Sequence, residues 1–259
     1  MPNDRIRFML AYMKKETKQA ELVYPIRINR YLALNNYCSR READDLIEKV
    51  VVLINGKKAK IGDKVEEKDE VKVNSKIAGA MKKYVYIAFN KPTGIVTHSP
   101  KDGQRSIAQI AYTAEDVFPV GRLDKNSRGL IILTNDGRIN DKLLNPEHDH
   151  DKEYVVKVNK PITNIFLKVM RQGVQLEDFK TKEAEVEKTD DEIFHITLTE
   201  GKKHQIRRMC TALGWEVVDL KRVRVMNINL GNLGSGQQRK IQGEELEKFL
   251  QSLGINSVK

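Results

Sequence analysis

Nine residues, SKIAGAMKK at 75–83, are small or charged and lack apolar periodicity, so they read as a linker that splits the 259-residue chain into two units. Each unit then has to bury a core of its own, the first within residues 25–74 and the second within residues 84–259. Residues 1–24 read as a mixed-charge N-terminal extension with no apolar stretch long enough for a secretory signal. No run approaches the roughly 18 apolar residues of a membrane span. Cys38 and Cys210 lie far apart with no CxxC spacing, which suits thiols in a reducing cytoplasm.

The first unit has a dense pattern. RINRYLALNNYCSRREADDLIEKV predicts a short helix around Ile28–Leu34 and a second opening at Ser39, where Ser39 and Glu42 form a capping-box pair. Ala43, Leu46, Ile47 and Val50 then recur at helical spacing. VVLINGKKAK follows as two strand-like runs joined by Asn55-Gly56, the strongest short hairpin signal, and DEVKVN adds a further strand. Residues 25–60 hold eight Lys or Arg against four acids. Arg30, Arg40, Arg41, Lys57 and Lys58 therefore suit either a phosphate backbone or a solvated charged face. The net charge of +10 favours a polyanionic partner. The stretch RINRYLALNNYCSRREADDLIEKVVVLINGKKAKIGDKVEEKDEVKV resembles the S4-type RNA-binding module, which implies binding of structured RNA.

From Tyr84 the pattern is one of strands and helices without a nucleotide-binding glycine motif. YVYIAFNKPTGIVT reads as strand, turn and strand; LIILTND and KEYVVKV as strands; GRINDKLLN and ITNIFLKVMRQGV as helices. AEVEKTDDEIFHITLTEG reads as two strands about an acidic turn, followed by a helix at 205–213, a strand at 216–230 and a helix at 243–253. Many strands with few regular crossovers predict an α+β domain on a mixed, largely antiparallel sheet.

The usual chemistries are missing from this pattern. EHDHD at 147–151 lacks a second ligand cluster, neither cysteine has a neighbouring base, and there is neither a P-loop nor GxSxG. What remains centres on GRLDKNSRGL, where Asp124 lies among Arg122, Lys125 and Arg128. Read as an extended strand, FPVGRLD puts Phe118, Val120, Arg122 and Asp124 on one face. The segment by itself fits a surface turn with local salt bridges as well as a carboxylate held for a task. In EGKKHQIRRMCTALGW, Ile206, Met209, Cys210 and Leu213 form a helical stripe with Arg207 at its border and Arg208 opposite. A border arginine seeks a carboxylate, and Asp124 is one candidate. Tyr154 in KEYVVKV starts an apolar row.

Taken in order, GRLD, LTNDG, KEY, HQIRRM and LKRVRV resemble the motif set of the RsuA family of RNA pseudouridine synthases, over a stretch from about Ile26 to the last strand. CSRREAD, GRLDKNSRGL and QIRRMC are most similar to the versions in the group acting on the large ribosomal subunit. Ser127 departs from the threonine of many relatives and touches substrate choice. The resemblance implies that Asp124 is the nucleophile, with Arg207 paired to it and Tyr154 stacked on the target uracil. Leu220 then packs beside the base and Arg122 meets phosphate or helps flip the nucleotide. Lys202, Lys203, Arg208 and Arg222–Arg224 hold RNA near the site, and Arg30, Arg40, Arg41, Lys57 and Lys58 hold it on the first unit. The reaction so implied needs neither metal nor cofactor. The partner implied is ribosomal RNA, with transfer RNA a second substrate, and the protein is expected to be a cytoplasmic monomer that is not bound to membrane.

Overall fold

In a computed structural model of the chain, Asn55 and Gly56 both take positive φ, 50° and 75°, the two-residue turn that matches the twist of a hairpin. The structure describes residues 24–35, 37–38, 40–49, 52–74, 84–113, 116–145 and 149–255. Apart from Tyr24, the expected extension over 1–24 lies outside them, as do the linker 75–83, Ser39 of the capping box, and Val50. The chain divides into two compact units, Met1–Ala78 and Gly79–Lys259.

In the first unit β1 (Ile26–Arg27) leads into α1 (Ile28–Leu34), and α2 spans Arg40–Glu48. Strands β2 (Val52–Ile54) and β3 (Lys57–Lys58) form the hairpin, with Leu53 opposite Lys58 and Ile54 opposite Lys57. Strand β4 (Lys64–Val65) pairs with β1, and β5 (Val71–Val73) completes the order β3-β2-β5. Asn55 ties the turn to β5: its carboxamide donates to Asp69 at 2.7 Å and accepts from the Glu70 amide at 2.9 Å. The core comprises Ile28 and Leu32 of α1, Ala43, Leu46 and Ile47 of α2, and Val52 and Val65 from the strands. The helical spacing and the hairpin signal thus place the apolar residues inside.

The second unit is one nine-stranded sheet. Its first elements are β6 (Tyr86–Lys91), β7 (Phe118–Val120), β8 (Arg128–Thr134), α3 (Arg138–Leu144) and β9 (Lys152–Val158). After them come α4 (Asn164–Gln172), β10 (Glu185–Asp190), β11 (Ile193–Leu198) and α5 (Gln205–Ala212). The last are β12 (Val217–Val225), β13 (Ile228–Asn229), β14 (Gln238–Lys240) and α6 (Gly243–Ser252). The strand order is β10-β11-β9-β12-β8-β6-β14, with β7 beside β8 and β13 beside β12. The pairings are antiparallel except for β12 with β8, so the sheet is mixed and largely antiparallel.

Period-two alternation sorts the residues of β6 and β8 between two faces. Tyr86, Ala88, Leu130 and Ile132 pack with α3 and α6 through Ile139, Leu143, Phe249 and Leu250. Ile87, Phe89, Ile131 and Leu133 face the other way, with Ile107 and Leu123. On that second face, further along the sheet, Val156, Phe194 and Leu220 pack under Phe166 and Met170 of α4 and Met209 and Cys210 of α5. The LTNDG motif closes the entry to β6. Thr134 donates to the Val85 carbonyl at 2.6 Å and Asn135 accepts the Val85 amide at 2.8 Å. Buried Asp136 pairs with Arg138 at 2.7 Å and accepts from the Tyr86 hydroxyl at 2.5 Å.

Three expectations need correction. Residues after the Pro-Thr-Gly turn do not form a second strand; Val96 makes an isolated parallel bridge to Ser106. FPVGRLD is not extended throughout: β7 ends at Val120, and Gly121 at φ +75° turns the chain. The turn places Val120 in one core and Leu123 in the other. Finally, the long strand expected over 216–230 breaks at Met226, whose φ of 51° starts the turn between β12 and β13.

Candidate active site

The turn after β7 carries Asp124, and its carbonyls are bonded in succession. Each carbonyl from 123 to 127 has a donor. Thr97 Oγ1 donates to Leu123 at 2.7 Å and in return accepts the Leu123 amide at 3.1 Å. The Ser127 amide donates to Asp124 at 3.0 Å and the Gly94 amide to Lys125 at 2.8 Å. The Arg207 guanidinium donates to Asn126 at 3.0 Å and the Lys91 ammonium to Ser127 at 2.6 Å. Groups held this way by the scaffold keep one orientation, as a reacting carboxylate requires.

Beneath the turn runs one cross-strand row. Ile196 of β11 lies opposite Tyr154 of β9, Tyr154 opposite Arg222 of β12, Arg222 beside Gly129 of β8, and Gly129 opposite Lys91 of β6. Residues in register share a face, so Tyr154, Arg222 and Lys91 point to the side that also holds Leu123. Tyr154 packs against both apolar clusters of that face, one of which holds Leu123 of the Asp124 turn. Gly129 has φ +106°, and a Cβ there would lie 2.2 Å from the Arg222 carbonyl oxygen. Only glycine permits that approach.

The row is cationic. Lys91 is fully buried, and its ammonium also bonds the Pro92 carbonyl at 3.0 Å. Desolvation pulls its pKa down to about 8; Asp124 opposes the fall and Arg222 adds to it. Lys152, which donates to the His150 carbonyl at 2.8 Å, is likewise lowered to about 8 by burial and by Arg222. Arg222 itself is buried and donates to the Leu130 carbonyl at 2.7 Å. The lysine shift has a thermodynamic sign. Between about pH 8 and 10.5 the unfolded chain holds a proton that folded Lys91 has released, so unfolding takes up a proton and stability rises with pH. Below pH 8 both states are protonated and the burial penalty is complete. We expect Lys91 to contribute a gain of about 2 kcal/mol between pH 8 and 10 in urea unfolding, a contribution that Lys91→Met loses.

The remaining residues singled out in the sequence separate into several groups. Arg207 does not pair with Asp124. Its guanidinium is used on two carbonyls, Asn126 and Val217 at 3.1 Å, so it holds the Asp124 turn instead of the carboxylate. The side-chain partner of Asp124 is His204, with Nε2 3.3 Å from Oδ1. Of the local cations, Arg122 and Lys125 are exposed, whereas Arg128 makes a two-pronged pair with Asp219 across β12. Arg208 pairs with Asp178 and stacks 5.4 Å from the Phe179 ring centroid, so it is not a free phosphate ligand. Lys202 lies 5.8 Å over the same ring, and Lys203 is exposed. Leu220 is buried opposite Val156, in the core and not on its surface. Ser127 is also buried, so it does not face a substrate. Arg222 is in the core, and Arg224 lies between Asp151 and Glu153. Neither is open to RNA phosphate. Arg30, Lys57 and Lys58 are exposed on the first unit, while the side chains of Arg40 and Arg41 lie outside the described residues.

Reading by charge alone missed Lys91, Thr97, Lys152 and His204. Lys91 was detectable: it follows Ile87 and Phe89 at period two and so falls on the inward face. Arg222 follows Leu220 by the same rule. His204 gives no comparable signal. Among the described residues no group of three or more potential metal ligands occurs, and no helix is long and apolar enough to cross a membrane.

The RNA pseudouridylate synthase family profile matches residues 85–212, and the S4 domain profile matches residues 26–71. The dual-specificity RNA pseudouridine synthase RluF of Escherichia coli strain K12 is 45% identical over 224 residues, 85% of this chain and 77% of that protein. The ribosomal large subunit pseudouridine synthase B of Bacillus subtilis strain 168 is 32% identical over 232 residues, 86% of this chain and 95% of that protein. A crystal structure of a pseudouridylate synthase superposes with a TM-score of 0.63 at 28% identity, covering 88% of this chain and 99% of its own.

Proposed function

We propose that this chain, which belongs to the RsuA family of RNA pseudouridine synthases, isomerises specific uridines of structured RNA, foremost in the large ribosomal subunit, with Asp124 as its nucleophile. The observation that carries the reading is the turn whose five successive carbonyls are all bonded, holding a half-exposed carboxylate next to Leu123, whose apolar cluster Tyr154 packs against. In the reaction the N1–C1′ bond breaks and its electron pair goes to the uracil. The base turns, C5 bonds to C1′, the C5 proton leaves to a base, and N1 takes up a proton in its place. A carboxylate serves both routes for this chemistry, direct addition to C1′ or assistance of an elimination to a glycal.

Tyr154 stacks on the flipped uracil and helps remove the C5 proton. Arg207 acts through the Asn126 carbonyl, keeping the turn in place. Exposed Arg122, Lys202 and Lys203 meet RNA phosphates near the site. Arg30, Lys57 and Lys58 of the S4 domain, with Arg40 and Arg41, contact the surrounding structured RNA. The name of the E. coli relative, dual-specificity, favours a second substrate, and a transfer RNA hairpin is the one proposed. A cytoplasmic monomer with no cofactor completes the proposal, within domains at 25–74 and 84–259 joined by 75–83.

The test is release of tritium from carbon 5 of labelled uridine in ribosomal and transfer RNA. Release is expected with the ribosomal substrate, and none on any RNA overturns the proposal. Raising salt from about 50 to 200 mM should raise KM by 10-fold or more through lost phosphate contacts while leaving the saturated rate unchanged.

A further inference from the structure

Among the described residues Asp124 has one ion-pair partner, and it is a histidine 80 positions away in the chain. The position of His204 is built by its surroundings. Its backbone is left-handed, φ 53° and ψ 27°, a conformation that non-glycine residues keep only where neighbours enforce it. Those neighbours are buried and hydrogen-bonded. The Glu200 carboxylate accepts from the Lys182 amide at 2.9 Å and from the Gln205 carboxamide at 2.6 Å. Gln205 in turn accepts the Lys202 amide at 3.0 Å, and its own amide donates to the Lys202 carbonyl at 3.2 Å. These bonds fix residues 200–205 as one turn with His204 at its tip.

His204 also occupies the N-cap of α5, yet its side chain makes no capping bond. The imidazole turns to Asp124 instead. The other cations near the carboxylate are otherwise placed or engaged. Arg207 holds the Asn126 and Val217 carbonyls, Lys91 the Ser127 and Pro92 carbonyls, and Arg128 pairs with Asp219. Both His204 and Asp124 remain partly open to solvent, with side-chain exposures of 49% and 38%, so their contact lies on the rim that an entering nucleotide meets.

We propose that His204 is a positioning residue for Asp124: its Nε2, 3.3 Å from Oδ1 in this structure, closes to a hydrogen bond when RNA enters, fixes the rotation of the carboxylate, and leaves Oδ2 for the anomeric carbon. The proposal rests on Asp124 being the nucleophile, and the experiment separates the two. Single-turnover tritium release at saturating enzyme is measured for wild type, His204→Gly, His204→Gln and Asp124→Asn, together with RNA affinity and melting temperature. Glycine adopts φ 53° without strain, so His204→Gly removes the imidazole and keeps the turn. A lost hydrogen bond to a charged group predicts a rate about tenfold lower in His204→Gly, with RNA affinity within about twofold and the melting temperature within a few degrees. His204→Gln keeps a donor and is expected to recover most of the rate. Free imidazole should accelerate His204→Gly and not wild type.

A His204→Gly rate equal to wild type overturns the proposal. So does a rate loss accompanied by an equal loss of RNA affinity or melting temperature, which assigns His204 a structural role. An active Asp124→Asn overturns the nucleophile itself. An inactive Asp124→Asn alongside a fully active His204→Gly overturns the positioning role alone.

Discussion

Asp124→Asn is expected to lower pseudouridine formation by at least about a thousandfold, roughly 4 kcal/mol of lost transition-state stabilisation. The substitution keeps the shape of the side chain and removes the negative charge. A neutral amide neither adds to an electron-poor anomeric carbon nor offsets the positive charge that grows there as the glycosidic bond breaks. The fold should tolerate the change. The turn is held through its carbonyls by Thr97, Gly94, Arg207 and Lys91, and none of those bonds uses the Asp124 side chain. Among the described residues, partly exposed Asp124 has one ion-pair partner, His204, so stability should change by about 1 kcal/mol or less. Tritium release and filter binding on the same RNA give the outcome. Tight binding without release is expected, and turnover within tenfold of wild type rejects the role.

Gly129→Ala is expected to have the largest effect on stability, about 4 kcal/mol or more. The new methyl carbon would meet backbone, 2.2 Å from the Arg222 carbonyl oxygen and 2.7 Å from the Arg222 nitrogen, at a φ that alanine avoids. A flexible side chain could yield to it; a paired strand cannot. The contact also lies at a vulnerable place in the sheet. Strands β10, β11, β9 and β12 join β8, β6 and β14 through the parallel pairing of Lys221 with Arg128 and Arg222 with Gly129. Forcing that pair apart separates Tyr154 and Arg222 from Lys91 and the Asp124 turn. Urea unfolding should therefore show a lower midpoint, with activity lost in parallel. An alanine variant within 1 kcal/mol of wild type contradicts the close approach.

Much of the architecture was legible in the sequence because periodicity reports directly on burial. The helix at Ile28–Leu34, the Asn55-Gly56 hairpin and the alternation in KEYVVKV all describe local geometry, and each appears at the expected residues. The location of Asp124 was legible through GRLD. Its partner was not, because Arg207 and His204 are three residues apart and both can reach the turn. Which one meets the carboxylate depends on buried Glu200 and Gln205, whose hydrogen bonds have no signature in spacing. Charge was the least informative signal. Arg222 and Arg224 look like RNA ligands in LKRVRV, yet one serves the Leu130 carbonyl and the other sits between two carboxylates. A count of cations cannot separate those already partnered within the fold from those open to RNA.

Gly129 is pinned against Arg222, and the Asp124 turn is held by Thr97 through Leu123 and by Lys91 through Ser127. The four residues between them, Lys125 to Arg128, thus bridge two fixed points. Exposed Lys125 can change identity at little cost, but an insertion or deletion has nowhere to go without moving the strand or the carboxylate. This interval can therefore vary at exposed Lys125 and is fixed in length, and the parallel strand pair acts as the ruler that measures it.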